Sequence, residues 1–344
     1  MEVASPRPGA GSAGSAGGNV TMAAQAEHPG RAPTREALLL AGPTAVGKSE
    51  VALCLAERLG GEIISVDSMQ VYRGLDLGTA KPPPAARQRV PHHLIDVVEL
   101  SEAFDAAQFV RRAKAAVEDI QGRARLPILC GGTGLYFKAF LEGLGGAPAP
   151  AATLRCELEK TPLAELLREL EQKDPVTFQK IDRRNPRRVV RAVEVIRLTG
   201  RPFSAQRAAW APGAASLGPG GSPFYFGFAR TTADLRARID ARVEEMFERG
   251  LVAETERLLE RGLAANRTAM QAIGYRQAVE HLRGERSLAE TVELVRIRTR
   301  QFAKRQLTWF RRHGHLTWMN VTPQESATAV AKRVPAVSPP SQTW

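Results

Sequence analysis

Long apolar runs are missing from this chain: nowhere do about 18 uncharged apolar residues follow one another, which excludes a membrane-crossing helix. Cysteine is scarce. Cys54, Cys130 and Cys156 stand singly with no C-x-x-C spacing, so neither a disulfide framework nor a cysteine zinc site can be built from them. An odd number without an export signal suits reduced thiols in the cytosol, each serving as a small buried apolar side chain. Histidine is equally thin. The pair His92-His93 has no cysteine or carboxylate at zinc spacing, which leaves Mg²⁺ as the one metal to expect. The first 35 residues lack both an apolar h-region and an Arg-dense amphipathic pattern, so they read as a disordered extension (1–35) rather than a secretory or transit signal. Met22 offers a second possible start.

Lysine is rare too, nine against 39 arginines. A GC-rich genome explains arginine over lysine, but not the excess of 48 basic over 36 acidic residues. The resulting charge of +12 and pI near 10.2 call for a polyanionic partner, a nucleic acid or an anionic surface.

What is present is a phosphate-binding loop. Gly42, Pro43, Thr44, Ala45, Val46, Gly47, Lys48 and Ser49 spell G-x-x-x-x-G-K-S between an apolar run (37–41) and a helix-like stretch (50–59). The glycines let consecutive N–H groups turn inward toward phosphate oxygens, and the following helix adds the positive end of its dipole. Lys48 supplies a mobile charge and Ser49 a hydroxyl for Mg²⁺. A bound di- or triphosphate follows from the motif; the reaction does not.

Beyond the loop, residues 62–66 read as a second strand, 105–122 as a helix and 126–130 as a third strand, and this alternation predicts a parallel, doubly wound α/β sheet. Its crossovers would place Ser49, Asp67 and Thr133 on one edge. Gly- and Pro-rich breaks near 143–150 and 211–223 bound an all-helical insertion (146–221), in which Leu163, Leu166, Leu167 and Leu170 repeat at helical spacing. Residues 224–228 then return to the sheet, long helices follow over 234–249, 252–261 and 288–312, and the tail beyond Thr322 holds at most one short helix. The expected organisation is thus a core of 36–145 with 222–320, the insertion, and a tail of 321–344.

Three constellations carry chemistry. The 126–130 strand ends in Gly131-Gly132-Thr133 without the acid that usually holds Mg²⁺ in phosphoryl-transfer sites, which weakens an ATPase reading. Asp67 remains to ligate metal, to act as a base toward a substrate, or to cap a helix. Arg236, Arg238 and Arg242 share one predicted helix and suit a diphosphate clamp, although Asp240, Glu244 and Glu245 offer ordinary pairing. Basic residues at 183–191, echoed by Arg296 to Arg312 with Phe302, Trp309 and Phe310 interleaved, suit a folded RNA.

Taken in order, several segments resemble the bacterial tRNA dimethylallyltransferase (tRNA isopentenyltransferase) family over about residues 37–320. They are the loop itself, Ile64-Ser65-Val66-Asp67-Ser68, Gly78-Thr79-Ala80-Lys81-Pro82, Pro91-His92-His93-Leu94-Ile95-Asp96, Gly131-Gly132-Thr133, Ala192-Val193-Glu194-Val195, Ala272-Ile273-Gly274-Tyr275-Arg276-Gln277 and Arg300-Gln301-Phe302-Ala303-Lys304-Arg305-Gln306. The resemblance implies a P-loop NTPase-like core and transfer of a dimethylallyl group from dimethylallyl diphosphate to N6 of the adenosine on the 3′ side of a tRNA anticodon. It implies Asp67 as the proton acceptor, with Thr133 and Arg242 as diphosphate-side catalytic contacts. It implies tRNA contacts at Asp67, Ser68, Met69, Gln70, Thr133, Arg155, Arg187, Arg188, Val189, Val190, Arg191, Gln271, Ala272, Ile273, Gly274, Tyr275 and Arg276. A monomer working in the cytoplasm with Mg²⁺ on Ser49 is expected, the adenosine swinging from its stack into a channel open to both substrates. A small-molecule kinase using ATP and a non-enzymatic RNA-binding nucleotide sensor are the competing readings.

Overall fold

The apolar run before the phosphate loop forms strand β1 (Leu38–Ala41) in the computed structural model, which describes residues 37–206, 224–313 and 315–335. Helix α1 (Lys48–Leu59), β2 (Gly61–Val66), α2 (Pro84–Arg89), a two-residue β3 (His92–His93), α3 (Ala106–Gly122), β4 (Leu126–Gly131) and α4 (Gly134–Glu142) follow. Four helices come next: α5 (Ala152–Lys160), α6 (Leu163–Lys173), α7 (Pro175–Lys180) and α8 (Pro186–Thr199). The chain then runs through β5 (Tyr225–Ala229), α9 (Thr232–Glu248), α10 (Leu251–Glu260), α11 (Tyr275–Leu282), α12 (Leu288–His313), β6 (Thr317–Asn320) and α13 (Ala327–Arg333).

The six strands form one parallel sheet in the order β3-β2-β4-β1-β5-β6. β1, at its centre, is buried on both faces, which is why it reads as an unbroken apolar run rather than an alternating one. Its side chains still alternate. Leu39 and Ala41 join the core on one face with Phe109, Phe137 and Tyr225, and Leu38 and Leu40 join the core on the other with Val51, Leu55 and Phe228. Parallel pairing puts the turns that follow β1, β2 and β4 on the same edge of the sheet, as the sequence predicts.

Helices α5 to α8 pack around an apolar cluster of their own, with Leu158, Leu166, Leu170, Val189, Val193 and Ile196 at its centre. Asn185 caps α8 by accepting from the Arg188 amide, and Gly200 ends it in a left-handed turn.

Two strands were not foreseen. β3 is too short to show any period, and β6 is fixed by packing: Trp318 lies so close to Gly227 that a Cβ there would fall 2.9 Å from its ring. The tail helix is α13, docked on α1 with Arg58 donating to the Val334 carbonyl at 3.1 Å. The expected N-terminal extension, the whole of the second break and the end of the tail lie outside the described residues.

Candidate active site

The loop after β1 is built from backbone that few side chains tolerate. Ala45 and Gly47 take φ of 62° and 101°, and α1 starts directly at Lys48. Three arginines from β5 to α9 fix it from outside: Arg230 donates to the Val46 carbonyl at 2.8 Å, Arg238 to the Ala45 carbonyl at 2.8 Å, and Arg242 to the Thr44 hydroxyl at 3.1 Å. Tying down the carbonyls fixes the peptide planes, and a nest of N–H groups requires that rigidity.

Lys48 donates to the Pro43 carbonyl at 3.0 Å, so its ammonium lies across the loop. Burial pulls that ammonium below its ordinary value and Arg242 pushes the same way, against Cys130, Asp67 and Glu50. Burial likewise lowers Arg242, which as a guanidinium stays charged. Neither cation forms an ion pair among the described residues. Two desolvated cations without a carboxylate are costly alone and are satisfied by an anion between them.

Asp67 follows β2 on the same edge. Its Oδ1 accepts from the amides of Met69 at 2.8 Å and Gln70 at 3.2 Å, an Asx turn that orients the carboxylate. Oδ2 takes no hydrogen bond among the described residues and is open to a proton. Gln70 is in turn held by Ser65 and by the carbonyls of Thr79 and Ala80. Thr133 follows β4 and its amide donates to the Val66 carbonyl at 3.2 Å, which joins the two turns; its hydroxyl does not cap α4. Between β2 and β4 there is no room for a side chain at Gly131, where a Cβ would meet the Val66 carbonyl oxygen at 2.1 Å.

These groups face one cavity of about 390 Å³. Thr44, Lys48, Ser49, Asp67, Thr133 and Arg242 line its polar end, and Met69, Val243, Met246, Ile273, Val295 and Phe302 supply an apolar wall. An anion cradle, a carboxylate and an apolar slot in one space fit a substrate that is a diphosphate at one end and a hydrocarbon at the other. Among the described residues no trio of His, Cys, Asp and Glu is grouped to hold a metal. The oxygens of Ser49 and Asp67 are hard donors, too few for a protein cage but suited to an Mg²⁺ held mainly by substrate phosphates and water.

The IPP transferase (IPPT) family model matches residues 70–313. The chain belongs to the IPP transferase family. It is 42% identical to tRNA dimethylallyltransferase 2 of Geotalea uraniireducens, over 85% of this chain and 94% of that protein. It is 47% identical to tRNA dimethylallyltransferase of Halorhodospira halophila, over 81% of this chain and 90% of that protein. The crystal structure of the tRNA isopentenylpyrophosphate transferase of Bacillus halodurans superposes with a TM-score of 0.62 at 38% identity, covering 86% of this chain and 94% of that one. A eukaryotic dimethylallyltransferase, determined acting on tRNA, gives 0.66 at 27% identity, covering 83% and 74%.

In this IPP transferase the other candidate residues divide sharply. Asp67, Ser68, Met69, Gln70, Thr133, Gln271, Ala272 and Ile273 line the cavity. Arg187 and Arg188 are exposed on α8, whereas Val189 and Val190 point into the helical core. Arg155 and Arg191 both donate to buried Glu194 at 2.6 Å, and Arg191 also reaches the Pro148 carbonyl, so these two guanidinium groups are engaged in holding the insertion together. Tyr275 is buried beside Gly274, accepting from the Gly78 amide and donating to Glu254, while Arg276 pairs with Glu280. Of the arginines on α9, Arg236 points to solvent toward Asp240 and takes no part in the loop.

Three contributors were missed. Arg230 straps the loop from outside the helix that drew attention. Gln306 donates to the Gly132 carbonyl and accepts from the Thr44 amide, both at 2.9 Å, bridging the two turns. Glu254 gathers the amides of Asp76 and Leu77. The first lies in the G-F-A-R end of β5 and the second in the basic run of α12, positions whose neighbours are legible but whose partners lie far away along the chain.

Proposed function

We propose that this chain transfers a dimethylallyl group from dimethylallyl diphosphate to N6 of the adenosine on the 3′ side of a tRNA anticodon, releasing diphosphate. The carrying observation is that the Asp67 carboxylate and the cationic phosphate loop face the same cavity, which also has an apolar wall. The N6 lone pair attacks C1 of the allyl group, the C1–O bond breaks with its electron pair going to the diphosphate, and Asp67 takes the N6 proton through its free Oδ2. Lys48, Arg242 and the loop amides stabilise the charge that builds on the leaving group. Ser49 would hold an Mg²⁺ ion together with the substrate's phosphates, and that ion would supply Lewis-acid neutralisation of the same charge. Exocyclic adenine nitrogen is a weak nucleophile, so a positioned base contributes about 10²–10⁴-fold.

The adenosine has to leave its stack to reach the cavity. Residues 146–221 serve as a tRNA-binding insertion on the core formed by 36–145 and 222–320, with Arg187 and Arg188 offering two exposed guanidinium groups, without a carboxylate partner among the described residues, to the phosphate backbone. The protein acts as a monomer in the cytoplasm, where its tRNA substrate is found. A P-loop kinase for a small molecule explains neither the missing acid after β4 nor the apolar wall. Incubating the protein with dimethylallyl diphosphate, Mg²⁺ and unmodified tRNA, then digesting the RNA, should yield N6-dimethylallyladenosine. Consumption of ATP with unaltered tRNA would favour the kinase.

A further inference from the structure

The turn between β2 and α2 faces the cavity with Gly78, Thr79 and Ala80. It brings no reactive side chain there, since the Thr79 hydroxyl is folded back onto the Leu75 carbonyl at 2.6 Å. What it contributes is backbone. The carbonyls of Thr79 and Ala80 accept from the Gln70 side-chain amide at 3.1 and 3.3 Å, and Ser65 donates to the Gln70 side-chain oxygen at 2.8 Å. The main-chain amide of the same Gln70 is one of the two that hold Asp67 Oδ1. The place of those two carbonyls thus sets Gln70, and Gln70 helps to set Asp67.

The turn is held from outside. Ala80 takes φ of 49°, which a residue with a Cβ keeps only where its surroundings enforce it. Lys81 anchors one end, its buried ammonium donating to the Tyr72 carbonyl at 2.6 Å and pairing with Asp76 at 2.8 Å and with Asp96. The middle is gathered by α10 and α11. Glu254 accepts from the Asp76 and Leu77 amides at 3.1 and 3.0 Å and from the Tyr275 hydroxyl, which itself accepts from the Gly78 amide at 3.1 Å. Three successive amides therefore end on one buried pair of side chains. Burial and the Glu254 carboxylate push the Tyr275 hydroxyl well above its ordinary value, so it stays protonated, donates to Glu254 and keeps a lone pair for Gly78. Its ring lies so close beneath the turn that a Cβ at Gly78 would fall 2.5 Å from it. Neither Glu254 nor Tyr275 lines the cavity. We propose that Glu254 and Tyr275 are positioning residues for prenyl transfer, fixing the 76–80 turn so that its carbonyls hold Gln70 and, through it, the Asp67 carboxylate toward the adenosine amine. This rests on the tRNA prenylation reading with Asp67 as proton acceptor. A base displaced by about 1 Å loses on the order of 10²-fold in rate, so a pair that never touches substrate still governs turnover.

The test follows single-turnover prenylation of bound tRNA, and KM for dimethylallyl diphosphate, in wild type, Tyr275→Phe, Glu254→Ala, Glu254→Gln, Asp67→Asn and the double variant Tyr275→Phe/Asp67→Asn. Tyr275→Phe and Glu254→Ala should each slow the transfer at least about tenfold. KM for dimethylallyl diphosphate should stay at the wild-type value, because neither side chain bonds to the phosphate loop among the described residues. Glu254→Gln keeps an acceptor oxygen for the same donors and should return the rate to within about threefold of wild type. Once Asp67 is Asn there is no base left to position, so adding Tyr275→Phe should cost less than about twofold. Wild type that makes product, with Tyr275→Phe and Glu254→Ala within about twofold of it, overturns the positioning role and leaves the reaction standing. A loss from Tyr275→Phe that is equally large with and without Asp67 overturns it as well, because the pair would then act on something other than the base. Wild type that makes no product overturns the reaction itself, and an Asp67→Asn variant as fast as wild type overturns the base; the positioning role falls with either. Should Tyr275→Phe or Glu254→Ala fail to fold, Gln70→Met, which cuts the link between the turn and Asp67 at another point, must show the same loss of about tenfold, and a rate within about twofold of wild type overturns the proposal.

Discussion

At the scale of single residues, the site depends on which atoms are satisfied and which are left open. Asp67 shows this most directly: Oδ1 is engaged by two backbone amides and Oδ2 is left for a proton. Asp67→Asn keeps the shape and the hydrogen bonds to Met69 and Gln70 while removing the acceptor. It should lower turnover at least about 10²-fold with tRNA affinity nearly intact, and turnover within a few-fold of wild type would remove Asp67 from the mechanism. A different carboxylate sets pH behaviour. Glu62, fully buried at the opposite end of β2, would be raised by burial alone, but hydrogen bonds from Arg123, His93 and Arg125 overcome this and hold its carboxyl at about 2 against an ordinary 4.5. A depressed carboxyl stabilises the fold fully above the unfolded value and loses that contribution as pH falls toward the folded one. Glu62→Gln should therefore be less stable than wild type at pH 7, and the gap in urea midpoints should narrow between pH 4.5 and 2. A gap independent of pH would show that the ion cluster contributes nothing through charge.

At the scale of elements, what could be read from the chain depended on how local its cause was. β1, α1, β2, α3 and β4 are specified by runs, periods and caps within themselves, and Asp105, expected inside the helix, proves to be the cap of α3, accepting from the Gln108 amide. The phosphate loop and the turn at Asp67 were legible for the same reason. β6 and Gln306 were not, because each is decided by a partner far off in the chain: Trp318 against Gly227, and Gln306 between Gly132 and Thr44. The arginines of α8 show the complementary case. Arg187, Arg188 and Arg191 look alike in sequence, yet Arg191 lies one turn further along α8, where it meets Glu194 together with Arg155. Glu194 is fully buried and also accepts from the Ala151 amide, so it ties α5, α8 and the entry to the insertion together. Because both arginines are partly exposed, the cost of removing their carboxylate is smaller than for a fully buried pair. Glu194→Ala should cost about 1–3 kcal/mol in unfolding free energy, and tRNA affinity should fall with it if the insertion positions its exposed arginines. A variant as stable as wild type would mean that this cluster is not what joins the helices.

At the scale of the whole molecule, the charge of +12 is unevenly distributed. Many arginines are paired with the protein's own carboxylates, as Arg123 and Arg125 are with Glu62, Arg197 with Glu169 and Arg300 with Asp240. The field that a polyanion meets comes from the remainder, and Arg187 and Arg188 on the insertion belong to it. Long-range attraction of this kind is screened within about 8 Å at physiological ionic strength, so it acts on association and on counterion release rather than on chemistry. Replacing both residues, Arg187→Ala/Arg188→Ala, should therefore weaken tRNA binding at every salt concentration and flatten the plot of log Kd against log salt by about 0.7–0.9 for each phosphate that the arginines had neutralised. KM for dimethylallyl diphosphate should not change, because the site proposed for it, made by Lys48, Arg242 and the loop, lies on different elements. The discriminating quantity is the slope. A weaker Kd with an unaltered slope would mean that the two arginines hold the insertion's shape, while an unaltered Kd and slope together would place the RNA on another face of the molecule.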